Sequence, residues 1–189
     1  MRKIILMMSV SLDGYIERPD RRIDWHRVDD ELHGFLNDEL RTMGAFIHGR
    51  VTYDLMAAYW PTADQDRQAP PAIVDFAGIW RSMPKVVYSR TLDHADWNTT
   101  VRHEVDPAEV RAMKAGPGGD IVVGGADLGA AFREHGLVDA YRVLVHPVLI
   151  GRGKRLFPPT DLEQPLTLTR SRTFSNGVVL LDYVRDDAA

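Results

Sequence analysis

The stretch DIVVGGADLGAAF, Asp120 to Phe132, runs four strand-type residues into two adjacent glycines and then into a helix-like segment. A strand-to-helix corner can be built from many residue types, so a glycine pair there implies that something approaches the main chain closely. A helix amino terminus carries unpaired N–H groups and partial positive charge, and glycine admits a phosphate to that backbone. Gly124–Gly125 therefore reads as a pyrophosphate seat or, without a ligand, as a tight turn. Neither G-x-G-x-x-G nor G-x-x-x-x-G-K-[ST] is present to decide between them.

The same corner recurs upstream. AFIHG followed by RVTYDLMAAYW is a short strand, Gly49 and a helical run, with Arg50 and Thr52 in its first turn. Lys3 to Val10 is a continuous apolar strand, and SLDGYIERPDRR is a loop carrying Asp-Gly and Pro-Asp turn signals. From Val28 to Thr42, Leu32, Phe35, Leu36 and Leu40 recur at helical spacing behind a crowd of acids, as a helix dipole favours. Pro61 to Pro71 is expected to be a mobile surface loop. KVVYS and DIVVG read as strands, and Pro107–Lys114 and Leu128–His135 as helices. LVDAYRVLVHPVL, PLTLTRSRTF and GVVLLDYV then read as three strands with little helix between them. Alternating strand and helix with a strand-rich end predicts an α/β fold in one domain, residues 1–189. It has a mostly parallel central sheet, helices on both faces and antiparallel edge strands at the carboxyl end.

Composition narrows the function. With 44% hydrophobic and 26% charged residues in 189, the chain is ordinary for a globular domain. A net charge of −4 offers no basic field for a phosphate backbone, so no nucleic-acid partner is expected. The absence of cysteine removes disulfides, thiol catalysis and cysteine-based zinc sites. The scattered histidines predict no metal site. No apolar run reaches membrane-span length, and the short run near Met1 meets Asp13 without a small-residue cleavage site, so a cytoplasmic protein is expected.

A third strand end, VVYSRTL, adds Ser89 and Arg90. In parallel sheets ligands collect at the carboxyl ends of strands. Three such ends bearing glycines, hydroxyls and arginines suit a multiply phosphorylated cofactor.

The segments MSVSLDGYI, FIHGRVTYDLM, KVVYSRTL, IVVGGADLGAAF and GLVDAYRVLVHPVLIGRGKRLF, in that order, cover nearly the whole chain. Together they resemble the dihydrofolate-reductase-like family, in the branch of the carboxy-terminal reductase domain of the bifunctional riboflavin-biosynthesis deaminase-reductase. The resemblance implies a three-layer sandwich binding NADPH across the strand ends. It places Gly49, Arg50 and Thr52 near the adenine-side phosphates, and Ser89 and Arg90 near the ribose 2′-phosphate. It places Gly124, Gly125, Ala126 and Leu128 against the pyrophosphate and nicotinamide side. Ser11, Asp13 and Gly14 match the loop that closes over the nicotinamide. The implied reaction is reduction of a small-molecule heterocycle, most like 5-amino-6-(5-phosphoribosylamino)uracil. The alternatives are a dihydrofolate-type pterin reductase and a module that binds a nucleotide or pterin without turnover.

For substrate chemistry, the resemblance implies that one carboxylate on the first helix grips the ring, as in folate reductases, and the spacing from Trp25 in IDWHRVDDEL makes Asp30 the matching acid, with Asp29 one register away. Both also read as helix-start acids, which is the simpler reading. Asp13, the other catalytic candidate, is also a turn former. His48 replaces an apolar residue before Gly49, and His146 reads as a strand residue with a satisfied ring. Tyr53, Met56, Tyr59 and Trp60 would cover a flat ring or simply pack in the core. The apolar late strands predict a homodimer, because an exposed hydrophobic edge is otherwise a liability.

Overall fold

The computed structural model describes residues 1–186. Eight strands form one sheet in the order β5-β4-β3-β6-β1-β7-β10-β9. These are β1 Ile4–Ser11, β3 Ala45–Gly49, β4 Lys85–Tyr88, β5 Thr99–Arg102, β6 Ile121–Gly124, β7 Ala140–His146, β9 Leu166–Thr173 and β10 Val179–Arg185. The pairs β1–β6, β1–β7, β3–β6, β3–β4 and β4–β5 are parallel, whereas β10 runs antiparallel to both β7 and β9. The expected parallel sheet with antiparallel strands at its carboxyl-terminal end is what the chain builds. A two-stranded antiparallel pair, β2 Tyr15–Glu17 with β8 Lys154–Arg155, stands apart from it.

Alternation along β1 sends Leu6 and Val10 to one face, where α4 (Pro107–Ala115) and α5 (Ala126–Glu134) bury Val110, Ala126, Leu128 and Phe132 against Ile47 and Val123. On the opposite face α3 (Pro71–Ser82) packs Phe76, Ile79 and Trp80 on Phe46, Val87 and Val122. There too α1 (Asp30–Arg41) packs Leu32 on Leu144, Phe174 and Leu180. Partly buried Met7 is packed against both clusters of that face, so it floors the seam between them.

The segment 61–71 is not the open loop its prolines and polar residues predict. Trp60–Gln65 winds a 3₁₀ turn, and Pro71, at the first position of α3, starts a helix rather than ending a loop. Arg81 holds the turn with both guanidinium nitrogens, at 2.8 and 2.6 Å from the two Asp64 oxygens, and donates to the Pro61 carbonyl at 2.9 Å. Helix α5 starts at Ala126, directly after the glycine pair, rather than at Leu128. The helix after Gly49, α2 (Arg50–Ala57), ends before the predicted Tyr59–Trp60.

Candidate active site

The carboxyl ends of the parallel strands lie along one edge, and that edge is stepped. Leu6 sits beside Val123 of β6 and Tyr141 of β7. β6 stops one residue later at Gly124, while β1 and β7 stay paired as far as Ser11 and His146. At ~3.3 Å per residue this leaves a shoulder roughly 13 Å tall beside the glycine corners. The shallow concavity around Arg2, Gly116 and Asp120 lies at the opposite, amino-terminal edge and carries none of this chemistry.

His48 and Gly124 are neighbours in register, so the β3–α2 and β6–α5 corners are side by side. Both helices begin on a glycine, Gly49 and Gly125, and neither has a side-chain cap. By contrast, Asp29 caps α1 by accepting the Leu32 N–H at 2.9 Å, and Asp106 caps α4 through Ala108 at 2.8 Å. Two adjacent helices thus present first-turn amides with no side chain claiming them, which is the donor arrangement a diphosphate needs. Asp127, the acid in the first turn of α5, is exposed and ion-paired with Lys154 at 2.5 Å.

What needs bare backbone at the glycine pair is first of all protein. A Cβ on Gly124 would stand 3.4 Å from His48 Nδ1, and one on Gly125 would stand 3.1 Å from the Thr52 hydroxyl. Gly125 also has φ +99° and ψ 142°, a conformation that an L side chain resists. Its N–H donates to Met8 Sδ at 3.1 Å, so the amides left toward the edge are those that follow it. His48 is 6% exposed, and both of its ring nitrogens lack a partner. Burial, with Lys85 adding repulsion, pushes its pKa down to about 4.

The fit of NADPH is judged on the residues at these corners. The uncapped amides of α2 and α5, half-buried Thr52 and the glycine corners suit the pyrophosphate. Arg50 spends its Nε on Asp54 at 2.6 Å, an exposed i,i+4 pair that a phosphate can compete for. Ser89 is buried, with its hydroxyl accepting the Thr91 and Leu92 amides at 3.3 and 3.1 Å, so it shapes the turn that presents exposed Arg90.

A family model for the RibD C-terminal domain matches residues 2–180. The chain belongs to the RibD C-terminal domain family. Among curated relatives it is 36% identical over 183 residues to uncharacterized protein YyaP of Bacillus subtilis (strain 168), covering 96% of this chain and 94% of that one. It is 29% identical over 188 residues to uncharacterized protein YwjB of the same organism, covering 97% and 98%. The fold superposes on a putative riboflavin biosynthesis protein from Shewanella sp. PV-4 with a TM-score of 0.74 at 19% identity, covering 97% of this chain and 99% of that one. It also superposes on a Thermotoga maritima diaminohydroxyphosphoribosylaminopyrimidine deaminase/5-amino-6-(5-phosphoribosylamino)uracil reductase, with a TM-score of 0.66 at 13% identity. That match covers 98% of this chain and 57% of the other. The fold is thus the dihydrofolate-reductase-like one that the motifs implied.

Within this RibD C-terminal domain the predicted acids take different places. Asp13 accepts the Ile150 and Gly151 amides at 3.2 and 2.7 Å, and the Ser11 hydroxyl bonds it too. Burial raises its pKa, but these hydrogen bonds outweigh that and hold the carboxyl below its ordinary value. Asp13 therefore staples the β1–β2 turn, where Gly14 has φ +85°, to the segment after β7. Ser11 is buried, and its Oγ accepts the Tyr15 amide at 3.0 Å. Asp29 is spent as the cap of α1, whereas Asp30 is exposed in the first turn, one helical turn from His33. The His33 ring meets Trp60 at 6.0 Å, and Trp60 meets Phe76 at 4.5 Å. Tyr53 is core, donating its hydroxyl to the Asp96 carbonyl, while Tyr59 is exposed.

The sequence reading passed over two contributors. Met8 lies in MSVSLDGYI and His26 in IDWHRVDDEL, but neither segment gives them a role, and those roles arise only where β1 passes Gly125 and where the loop before α1 crosses β7.

Proposed function

We propose that this chain is an NADPH-dependent reductase of a small nitrogen heterocycle, most like 5-amino-6-(5-phosphoribosylamino)uracil. The observation that carries the reading is the side-by-side pair of glycine-capped helix amino termini on the low side of the stepped edge. Such a pair binds a diphosphate, and the shoulder formed by β1 and β7 gives a ring somewhere to lie. When bound, NADPH supplies hydride, and the protein holds the acceptor in line with it. Asp30, exposed in the first turn of α1, is the acid that would meet the heterocycle, and Asp13 keeps the loop over the nicotinamide in place. The related pterin reductase would use the same geometry with another ring.

The test follows loss of reduced-nicotinamide absorbance with ribosylaminopyrimidine and dihydropterin acceptors. Oxidation with either establishes a reductase and its ring class, whereas tight NADPH binding without oxidation identifies a binding module. The assignment of Arg90 to the 2′-phosphate gives a further expected result. Arg90→Ala weakens NADPH at least tenfold and NADH less than twofold in a fluorescence titration, and equal weakening contradicts the assignment. No helix among the described residues is long and apolar enough to cross a membrane. For the proposed homodimer we place the second copy along β9, an edge strand with Leu166 and Leu168 exposed.

A further inference from the structure

Between β7 and β8 the turn Gly151-Arg152-Gly153 carries an exposed arginine on two glycines, at φ +75° and +151°. Its backbone is held on both sides. Asp13 accepts the Ile150 and Gly151 amides, and the Leu12 N–H donates to the Val148 carbonyl at 2.8 Å, which ties the segment to the β1–β2 turn on the shoulder. A Cβ on Gly153 would stand 2.0 Å from the Glu17 carbonyl oxygen, so β8 enters its pairing with β2 at closest approach. Beyond it the Leu156 N–H donates to the Gly14 carbonyl at 3.0 Å. Lys154, two residues after Arg152, reaches Asp127 in the first turn of α5. The segment therefore spans the step, from the high side at Asp13 to the low side at the start of α5.

Arg152 makes no hydrogen bond, ion pair or ring contact among the described residues. The charged groups around it are matched elsewhere. Asp13 is taken by two amides and by Ser11, and Asp127 by Lys154. Arg155 lies over the Tyr15 ring at 4.8 Å, with Nη2 on its hydroxyl at 3.1 Å, and Glu17 stands opposite Lys154 in the ribbon. Arg152 thus keeps all its donors, on a backbone that needs no ordering before it binds. A turn that only had to be soluble could carry a charge on ordinary φ angles, whereas both positions flanking this one resist a side chain. The planar guanidinium fork suits two phosphate oxygens, and Lys154, in its exposed pair with Asp127, is a second cation for which an anion can compete.

We propose that Arg152 is a phosphate-binding residue, presented by the Gly151–Gly153 turn to a phosphate group of a ligand that lies along the step. The phosphate is either part of the cofactor diphosphate or a monoester on the acceptor, and both offer the same paired oxygens. The assignment deepens the reductase reading, on which it rests for where a ligand lies. Arg152 positions that ligand through its phosphate and takes no part in hydride transfer.

The test titrates the whole chain with NADPH, and with uridine 5′-monophosphate against uridine, which differ only in the monoester. Arg152→Gln is expected to weaken NADPH about tenfold if the phosphate is the cofactor's, or to erase an about tenfold preference for the monophosphate if it is the acceptor's. In either case Arg152→Lys, which keeps the charge without the fork, recovers only part of the loss. The Arg152 Nε–H resonance of ¹⁵N-arginine-labelled protein, assigned by its absence from Arg152→Lys, moves with the ligand that is weakened. The urea midpoint of Arg152→Gln stays that of the parent, because the side chain touches no other group. Arg111→Gln, which removes an exposed charge from α4, changes neither ligand. Parent-like affinity for both ligands in Arg152→Gln, an equal effect of Arg111→Gln, or a resonance that stays still overturns the proposal. NADPH binding and oxidation with Arg152→Gln unchanged for both ligands sinks this assignment alone. A monophosphate preference that Arg152→Gln erases, in a chain that does not bind NADPH, sinks the reductase reading alone, and binding of neither ligand by the parent sinks both.

Discussion

Replacing Gly125 with alanine is expected to destabilise the fold by about 3 kcal/mol and to weaken NADPH at least tenfold. A non-glycine residue at φ +99° and ψ 142° carries a strain of about 1–3 kcal/mol. The new Cβ also meets the Thr52 hydroxyl at 3.1 Å. Relief of that strain swings the start of α5 away from α2, and the two sets of amides no longer converge. Thr52→Ala removes the contact and leaves the backbone strain. In a double-mutant cycle it therefore recovers part of the stability and little of the cofactor affinity. Urea midpoints and a calorimetric NADPH titration read the two losses separately. Parent-like values for Gly125→Ala on both would show that the corner is neither strained nor used. Gly124→Ala is the internal comparison, since its Cβ lies at contact distance, 3.4 Å, from His48.

The second large effect is acid lability. His48 and His146 are buried with pKa values of about 4, below the ordinary 6.5 they regain on unfolding. Between those values the unfolded chain binds more protons than the folded one, so stability rises with pH through that window. It is complete above about pH 6.5 and is lost as pH falls from there toward 4. Each ring contributes a slope of about 1.4 kcal/mol per pH unit, and two together remove several kcal/mol, a large part of an ordinary domain's stability. Urea midpoints at pH 7.5 and 5 are expected to differ strongly, and His48→Met is expected to flatten the dependence by about one proton. A stability profile flat across that range would mean that these rings are charged or solvated in the folded protein.

Much of the fold is readable because its signals are local. Apolar runs such as Lys3–Val10 and glycines at strand ends speak for themselves, as do the acids that open α1. Others depend on partners far along the chain. The 3₁₀ turn at Trp60–Gln65 is held by Arg81, and β2 exists only where β8 comes to pair with it. The site divides in the same way. Gly124 and Gly125 stand out as a pair needing close approach, but that the approach is by His48 and Thr52 follows from register between β3 and β6. Asp13 and Asp29 read in one dimension both as site acids and, more simply, as a turn former and a helix-start acid, and in three dimensions both are consumed by backbone amides. His146 is half as expected: one nitrogen is satisfied and the other is not.

The central claim is that the paired starts of α2 and α5 hold the dinucleotide. Backbone amide resonances of the ¹⁵N-labelled chain, followed through a titration with NADPH, test it most directly. The account predicts the largest shifts at Gly49 to Thr52 and Gly125 to Leu128, saturating together with a single affinity. NADPH that binds while those amides stay still, or that fails to bind at all, contradicts it.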